Sequence, residues 1–188
     1  MEQFLKGITS KYQLSGKDIS FLRDNIDKKS IKKGESLIEE GKINDAIYIN
    51  HEGVLRCHKA IAGEQHTFWF SVKDEINFSA HCYYYGTPSL FTLSASSDCL
   101  VYILSKECTN KIFTDYQPLA KWLHELMIHY ILEMEDSLFT LTDKKAENRY
   151  LAFMKKMPEI FQHVPLQEIA SFLGITPQSL SRIRAGLK

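Results

Sequence analysis

Gln178, Ser179, Ser181 and Arg182, close together near the end of the chain, are side-chain types that read nucleic acid. Gln and Arg present paired hydrogen-bonding groups that match the major-groove edges of adenine and guanine, and Ser hydroxyls serve bases or phosphates. Their setting gives the spacing its meaning. Within Val164-Pro165-Leu166-Gln167-Glu168-Ile169-Ala170-Ser171-Phe172-Leu173-Gly174-Ile175-Thr176-Pro177-Gln178-Ser179-Leu180-Ser181-Arg182-Ile183-Arg184, residues Ile169, Ala170 and Leu173 share one helical face. Gly174 permits a left-handed turn, and Ile175 plugs the angle beyond it. Thr176 is a good N-cap and Pro177 a favoured first helical residue, so a second helix starts here with its amide-rich end free for a phosphate or base. Leu180 and Ile183 then point inward and the four polar side chains outward. An ordinary helical hairpin with a polar outer face is the alternative.

Other chemistry finds little support. The seven histidines form no H-x-H pair of the kind that brings imidazoles to a metal in cupin-like barrels, and there is no G-x-S-x-G, H-E-x-x-H, P-loop or Rossmann glycine pattern. No catalytic residue, metal site or cofactor is expected. Cys57, Cys82, Cys99 and Cys108 lie apart with no C-x-x-C pair, which points to reduced, buried thiols. His51, His58, His66, His81 and Cys57 are the residues that could ligate haem, though isolated histidines near strand ends are more often hydrogen-bonded surface groups.

The formal net charge is zero, but it is segregated. Residues 144–188 hold eight Lys or Arg (Lys144, Lys145, Arg149, Lys155, Lys156, Arg182, Arg184, Lys188) against three acids, a surplus of five; the first 143 residues hold 15 against 20. Phosphates respond to the local field of the part that docks, so a basic unit attached to an acidic partner domain suits nucleic acid. No run approaches the roughly 18 apolar residues of a membrane span, and Met1 to Ser10 lack a secretory leader's pattern. The expected location is the cytoplasm.

The elements that must position the motif come before it. Residues 14–29 read as a helix capped by Ser15, with Asp18 in its first turn and Ile19, Leu22 and Ile26 on one face. Short β-branched or aromatic runs follow at Ser36–Ile38, Ala46–Ile49, Gly53–His58, Gln65–Phe70 and Cys99–Leu104, punctuated by Gly34, Gly41, Gly53, Gly63 and Gly86. Such strands imply a compact barrel or roll. After Pro118 the period turns helical. Leu119, Leu123, Leu126, Tyr130, Glu133 and Ser137 share one face, and Trp122, Met127 and Ile131 an adjoining one. One face can lie on the roll and the other on a symmetry mate; a helix buried within one subunit is the alternative. Thr142-Asp143 marks a hinge before a further helix, Lys144 to Met157, stopped by Pro158.

With these parts assembled, the chain from about residue 10 onward resembles the cyclic-AMP receptor / fumarate-nitrate regulator (Crp/Fnr) family. The resemblance rests on Lys33-Gly34-Glu35-Ser36-Leu37-Ile38-Glu39-Glu40-Gly41, on Ala46 to Arg56, on Ala146-Glu147-Asn148-Arg149-Tyr150 and above all on Ile169 to Arg184. It implies an α+β fold: an N-terminal double-stranded β-helix (a cyclic-nucleotide-binding-like β-roll sensor, 1–117), a long dimerisation helix (118–142) and a C-terminal helix-turn-helix (143–188). By the same resemblance Gln178 and Arg182 read bases, Gln167, Thr176 and Ser179 touch phosphates, and Ser181 and Arg184 lie beside them, with Lys144 and Lys145 adding charge for the DNA backbone. The implied partners are a second copy, a palindromic duplex and RNA polymerase.

Two departures temper the match. Cyclic-nucleotide-binding members hold the ribose and cyclic phosphate with a Gly-Glu pair and a downstream Arg; with Gly86 laid on the cassette's glycine, those positions are Phe78, Ser79 and Ser89. No cation faces the phosphate and no carboxylate the ribose, so a cyclic nucleotide is not expected as the effector. An uncharged small molecule between Phe78, Ser79, Ser89 and Phe91, with Tyr83, Tyr84 and Tyr85 nearby, fits better, although these aromatics suit a core equally well. The sequence ends four residues after Arg184, so the wing that follows the recognition helix in many relatives is expected to be missing. The iron-sulfur members' clustered N-terminal cysteines have no counterpart, Cys57 being the first. A β-roll protein that has lost DNA binding is the competing function.

Overall fold

The computed structural model describes residues 1–187; Lys188, counted in the basic surplus, lies outside them. Two helices open the chain, α1 (Glu2–Tyr12) and α2 (Gly16–Asn25). The Ser15 hydroxyl accepts from the Asp18 N–H while the Asp18 carboxylate accepts from the Ser15 N–H, a reciprocal capping box that fixes the start of α2. The helix is shorter than the sequence suggests. Ile26, expected on its apolar face, instead opens β1 (Ile26–Ile31), where it pairs with Leu104. Ladder bonds to a distant strand outweigh a weak local helical pattern. α1 is not among the expected elements, although Phe4, Leu5, Ile8 and Tyr12 fall at helical spacing; it packs Leu5 and Phe4 into the core beside Tyr102 and Trp122.

The remaining strands are β2 (Ser36–Ile38), β3 (Ile47–Glu52), β4 (Leu55–Ile61), β5 (Glu64–Ser71), β6 (Ile76–Asn77), β7 (Thr92–Ala95) and β8 (Cys99–Leu104). They form two antiparallel four-stranded sheets, ordered β1-β8-β3-β6 and β2-β7-β4-β5. All five expected runs are strands; β1, β6 and β7 join them. The first sheet is covered on both faces. Ile47, Ile49, Tyr102 and Leu104 meet the helices, whereas Tyr48, Val101 and Cys99 meet the second sheet, which accounts for unbroken apolar runs in β3 and β8. In β4 the apolar side chains alternate: Leu55 and Cys57 enter the core between the sheets, and Arg56 and His58 face outward.

After α3 (Lys106–Asp115) comes α4 (Gln117–Thr142), the long helix, which crosses the open side of the roll. Leu119, Trp122 and Leu123 are buried, with Leu126, Met127 and Tyr130 packed beside them. Trp122 and Met127 thus belong to the roll-facing surface, not to a second face as expected. The outward stripe is Ile128, Ile131, Leu132, Leu138 and Phe139, all exposed. Asp143 ends α4 and organises the next turn: its carboxylate accepts from the Lys145 N–H at 2.8 Å and from Asn148 at 3.0 Å, and its carbonyl from Arg149 at 2.7 Å. Helices α5 (Ala146–Lys156), α6 (Ile160–His163), α7 (Leu166–Phe172) and α8 (Pro177–Gly186) complete the chain. No helix among the described residues is long and apolar enough to cross a membrane.

All four cysteines are free and buried. Burial pushes the Cys108 thiol up to about 11, that of Cys57 much higher, and that of Cys99 upward.

Gly53, between β3 and β4, is the glycine the roll depends on most directly. Its φ is +83°, and a Cβ there would lie 2.2 Å from the Asp98 carbonyl oxygen and 2.7 Å from the Cys99 sulfur. Gly63, in the β4–β5 turn, has a similar φ of +84° but faces open space. Gly53→Ala is expected to cost about 3 kcal/mol or more, and Gly63→Ala about 1 kcal/mol, in urea unfolding. Equal losses at the two positions would remove steric contact as the cause.

Candidate functional site

α7 and α8 are joined by the tight turn that the sequence marks. Gly174 adopts φ +64°, the Ile175 N–H bonds the Ala170 carbonyl at 3.0 Å, and the Leu173 carbonyl accepts from Arg149 Nε at 3.0 Å. Ile169, Ala170, Leu173 and Leu180 are buried, with Ile175 and Ile183 packed against them. The Thr176 hydroxyl caps α8, accepting from the Ser179 N–H at 3.2 Å and donating to the Ser179 hydroxyl at 3.0 Å. Both hydroxyls thus help to build the helix start at the protein surface. Gln178, Ser181 and Arg182 are exposed on α8, as is Gln167 on α7, and Arg184 is half-buried; none of these five side chains has a hydrogen-bond or ion-pair partner among the described residues. Among the described residues, nothing occupies these donors and acceptors.

The unit that carries α8 is packed on the roll. Phe70 of β5 lies 6.0 Å from Phe153 of α5 and 5.6 Å from Phe172 of α7, whose rings are themselves 4.6 Å apart, and Val54 joins the same core. From α5, Lys156 bonds Glu133 of α4 at 2.8 Å and Asp136 at 3.4 Å.

A polar contact that sequence reading missed lies on the outer face of the second sheet. Arg56 is only 7% exposed. Its Nε donates to the Thr67 hydroxyl at 2.8 Å, and its Nη1 lies 3.5 Å from the Glu168 carboxylate of α7, whose other oxygen accepts from Ser96 at 2.5 Å. Burial lowers the guanidinium pKa, and Glu168 opposes that shift. Alongside, the Ser171 hydroxyl accepts from the Thr67 N–H at 2.9 Å and donates to the Gln65 carbonyl at 3.0 Å. His58 lies nearby, 3.1 Å from the Ser94 hydroxyl, and its pKa is pushed down to about 4 by burial and by Arg56. The local cue was a charged residue, Arg56, alternating with core positions in a strand; its partner, far along the chain, has no local cue.

Inside the roll, the four residues singled out for an effector are dispersed. Phe78 packs at 5.8 Å from Tyr83 and 5.6 Å from Tyr130. Ser79 and Ser89 are buried; the Ser79 hydroxyl accepts from the Cys82 N–H, and that of Ser89 donates to the Phe91 carbonyl. Phe91 stacks edge-on against Phe68 at 5.4 Å in a different cluster. Between Phe78 and Ser89 the chain forms a single π-turn, His81–Tyr85, closed by Gly86 in the left-handed region. Beside Trp69 and Tyr130 the free space is only about 10 Å³, roughly one water molecule.

No protein-family model and no curated protein matches the sequence. Its shape is shared widely among solved structures. FixK2 of Bradyrhizobium japonicum superposes with a TM-score of 0.72 at 18% identity, covering 86% of this chain and 84% of that one. CLP, the c-di-GMP responsive global regulator of Xanthomonas campestris, gives 0.70 at 16% identity over 90% and 89% of the two chains. A Crp/Fnr-family transcriptional regulator of Thermus thermophilus gives 0.66 at 17% identity over 86% and 85%. The chain is thus an α+β protein with a cyclic-nucleotide-binding-like β-domain followed by helices, in the fold of the Crp/Fnr transcription regulators. The α+β architecture with a cyclic-nucleotide-binding-like β-domain, which the resemblance implies, is the one found.

Proposed function

We propose that this chain is a homodimeric, sequence-specific DNA-binding transcription regulator of the Crp/Fnr type that does not respond to cyclic nucleotides. The observation that carries the reading is the capped start of α8, with Gln178, Ser181 and Arg182 exposed and unpartnered beside it. α7, the turn and α8 act as the helix-turn-helix, α8 entering the major groove. Gln178 and Arg182 read bases; Gln167, Thr176, Ser179 and Arg184 approach the backbone, with Lys144 and Lys145 adding charge. The regulator works in the cytoplasm, with RNA polymerase as a further partner, and acts by binding and not by catalysis.

Selection of bound duplexes from a random pool tests this directly. The enriched site should be a palindrome with half-sites about one helical turn, roughly 34 Å, apart. Arg182→Ala should cost about 1–3 kcal/mol and relax preference at one base position. Unchanged affinity and preference would displace α8 as the reading element, and no enrichment would favour a β-roll protein without DNA binding.

Dimerisation would use the exposed stripe Ile128, Ile131, Leu132, Leu138 and Phe139, because α4 has already spent its other face on the roll. Leu132→Glu should weaken the dimer by about 100-fold or more in analytical ultracentrifugation. A wild-type monomer at micromolar concentration would contradict the assignment.

The insensitivity to cyclic nucleotides rests on the aromatic packing of Phe78, Tyr83 and Tyr130 and on the engaged hydroxyls of Ser79 and Ser89. A cyclic phosphate carries a full charge, which is costly to bury without a cation. Isothermal titration with cyclic AMP or cyclic GMP should show no Kd tighter than about 10 μM. Tighter binding accompanied by stronger DNA binding would overturn this part of the proposal.

A further inference from the structure

Along the outer face of the second sheet, bordered by Glu168 of α7, lies an open polar groove of about 640 Å³, with Arg56 on its wall. This is within the size range of small-molecule sites, about 300–1,000 Å³. Lys33 lines the groove's exposed rim, and the buried cation, Arg56, is under-partnered. A guanidinium has five N–H donors, and among the described residues Arg56 makes one hydrogen bond, to Thr67, plus the 3.5 Å contact to Glu168. A charge-assisted bond at full strength is shorter, about 2.7–2.9 Å, and Arg favours paired bonds to a carboxylate or phosphate. Two other acids on the wall are already engaged: Glu39 pairs with Lys42 at 2.6 Å, and Glu40 accepts from the Ala60 N–H and lies 3.7 Å from Lys59. Ser36 lines the wall on the sheet side and can donate to an oxyanion, as can one member of the Ser94–neutral His58 pair, whose mutual bond takes the other's proton.

We propose that this groove binds a small oxyanion, a carboxylate or phosphate, on Arg56, and that the bound anion displaces Glu168 and loosens α7 from the sheet. Glu168 is a substrate-like occupant of the site, a carboxylate supplied by the protein itself. An incoming anion competes for the same guanidinium. When Glu168 leaves, the neighbouring Ser171 bonds to β5 lose the contact that holds α7 in register. The regulatory consequence, a change in the freedom of α8, rests on the DNA-binding reading; the site and the competition do not.

The test therefore uses the full-length protein without DNA. Isothermal titration with inorganic phosphate and with succinate, at matched ionic strength, should give one-to-one binding for at least one of them with a Kd of about 1 mM or tighter. Glu168→Gln, which removes the competing charge, should bind about tenfold more tightly, and Arg56→Gln about tenfold more weakly. Exchange of the Thr67 amide hydrogen, which bonds Ser171, should speed up at saturation with the anion. Absence of binding to both wild type and Glu168→Gln at about 10 mM overturns the site. Glu168→Gln binding no more tightly than wild type, or a Thr67 amide that stays equally protected, overturns the displacement. Whether phosphate or succinate binds distinguishes a phosphorylated ligand from an organic acid, and a loss of DNA binding unrelated to either anion would bear only on the DNA-binding reading.

Discussion

The contact on which the rest of the molecule depends is the meeting of Phe70, Phe153 and Phe172. A unit as small as residues 143–187 buries too little surface to stand comfortably alone, and it closes its core by taking Phe70 and Val54 from the roll. Aromatic rings in offset and tilted contact bury large area and fix relative orientation. α8 is consequently held at a set angle to the second sheet. A bulge in β5 makes this possible. Cys57 pairs with Trp69 but His58 with Thr67, so Phe68 is the extra residue. Thr67 and Phe70, three apart, would face opposite sides of a regular strand; the bulge turns both outward, one to Ser171 and the other to the aromatic joint.

α4 expresses a second constraint. It must cover the open side of the roll and still lead into α5, so its N-terminal half is committed to Leu119, Trp122 and Leu123 while its C-terminal half passes beyond the sheets with Leu138 and Phe139 exposed. Lys156, bridging to Glu133 and Asp136, ties α5 back onto the last turns of this helix. The break at Asp143 is thus braced from both sides.

Elements with local causes were readable from the residues. The turn at Gly174 and the cap at Thr176 each depend on a few neighbouring side chains, as does the Ser15–Asp18 box, and all three occur where the residue types place them. Strands with apolar runs were equally plain. β1 was hidden because Asp27, Lys28, Lys29 and Ser30 between its two isoleucines carry no strand pattern; the ladder with β8 holds it. The faces of α4 divide differently from the expectation because helical spacing gives apolar positions without saying which neighbour covers them. Of the candidate site, the outward residues of α8 were legible from cap and periodicity. The Arg56–Glu168 contact was not, since it exists only once the chain has brought β4 and α7 together.

The four buried cysteines carry a consequence for the protein's environment. Oxidants attack the thiolate, and thiols raised as far as those of Cys57 and Cys108 form almost none of it at neutral pH. Peroxide or a disulfide reagent must therefore wait for the roll to open before it can react at these positions. The rate of thiol modification becomes a clock for local unfolding, and the folded protein is chemically blind to the redox state around it at Cys57 and Cys108.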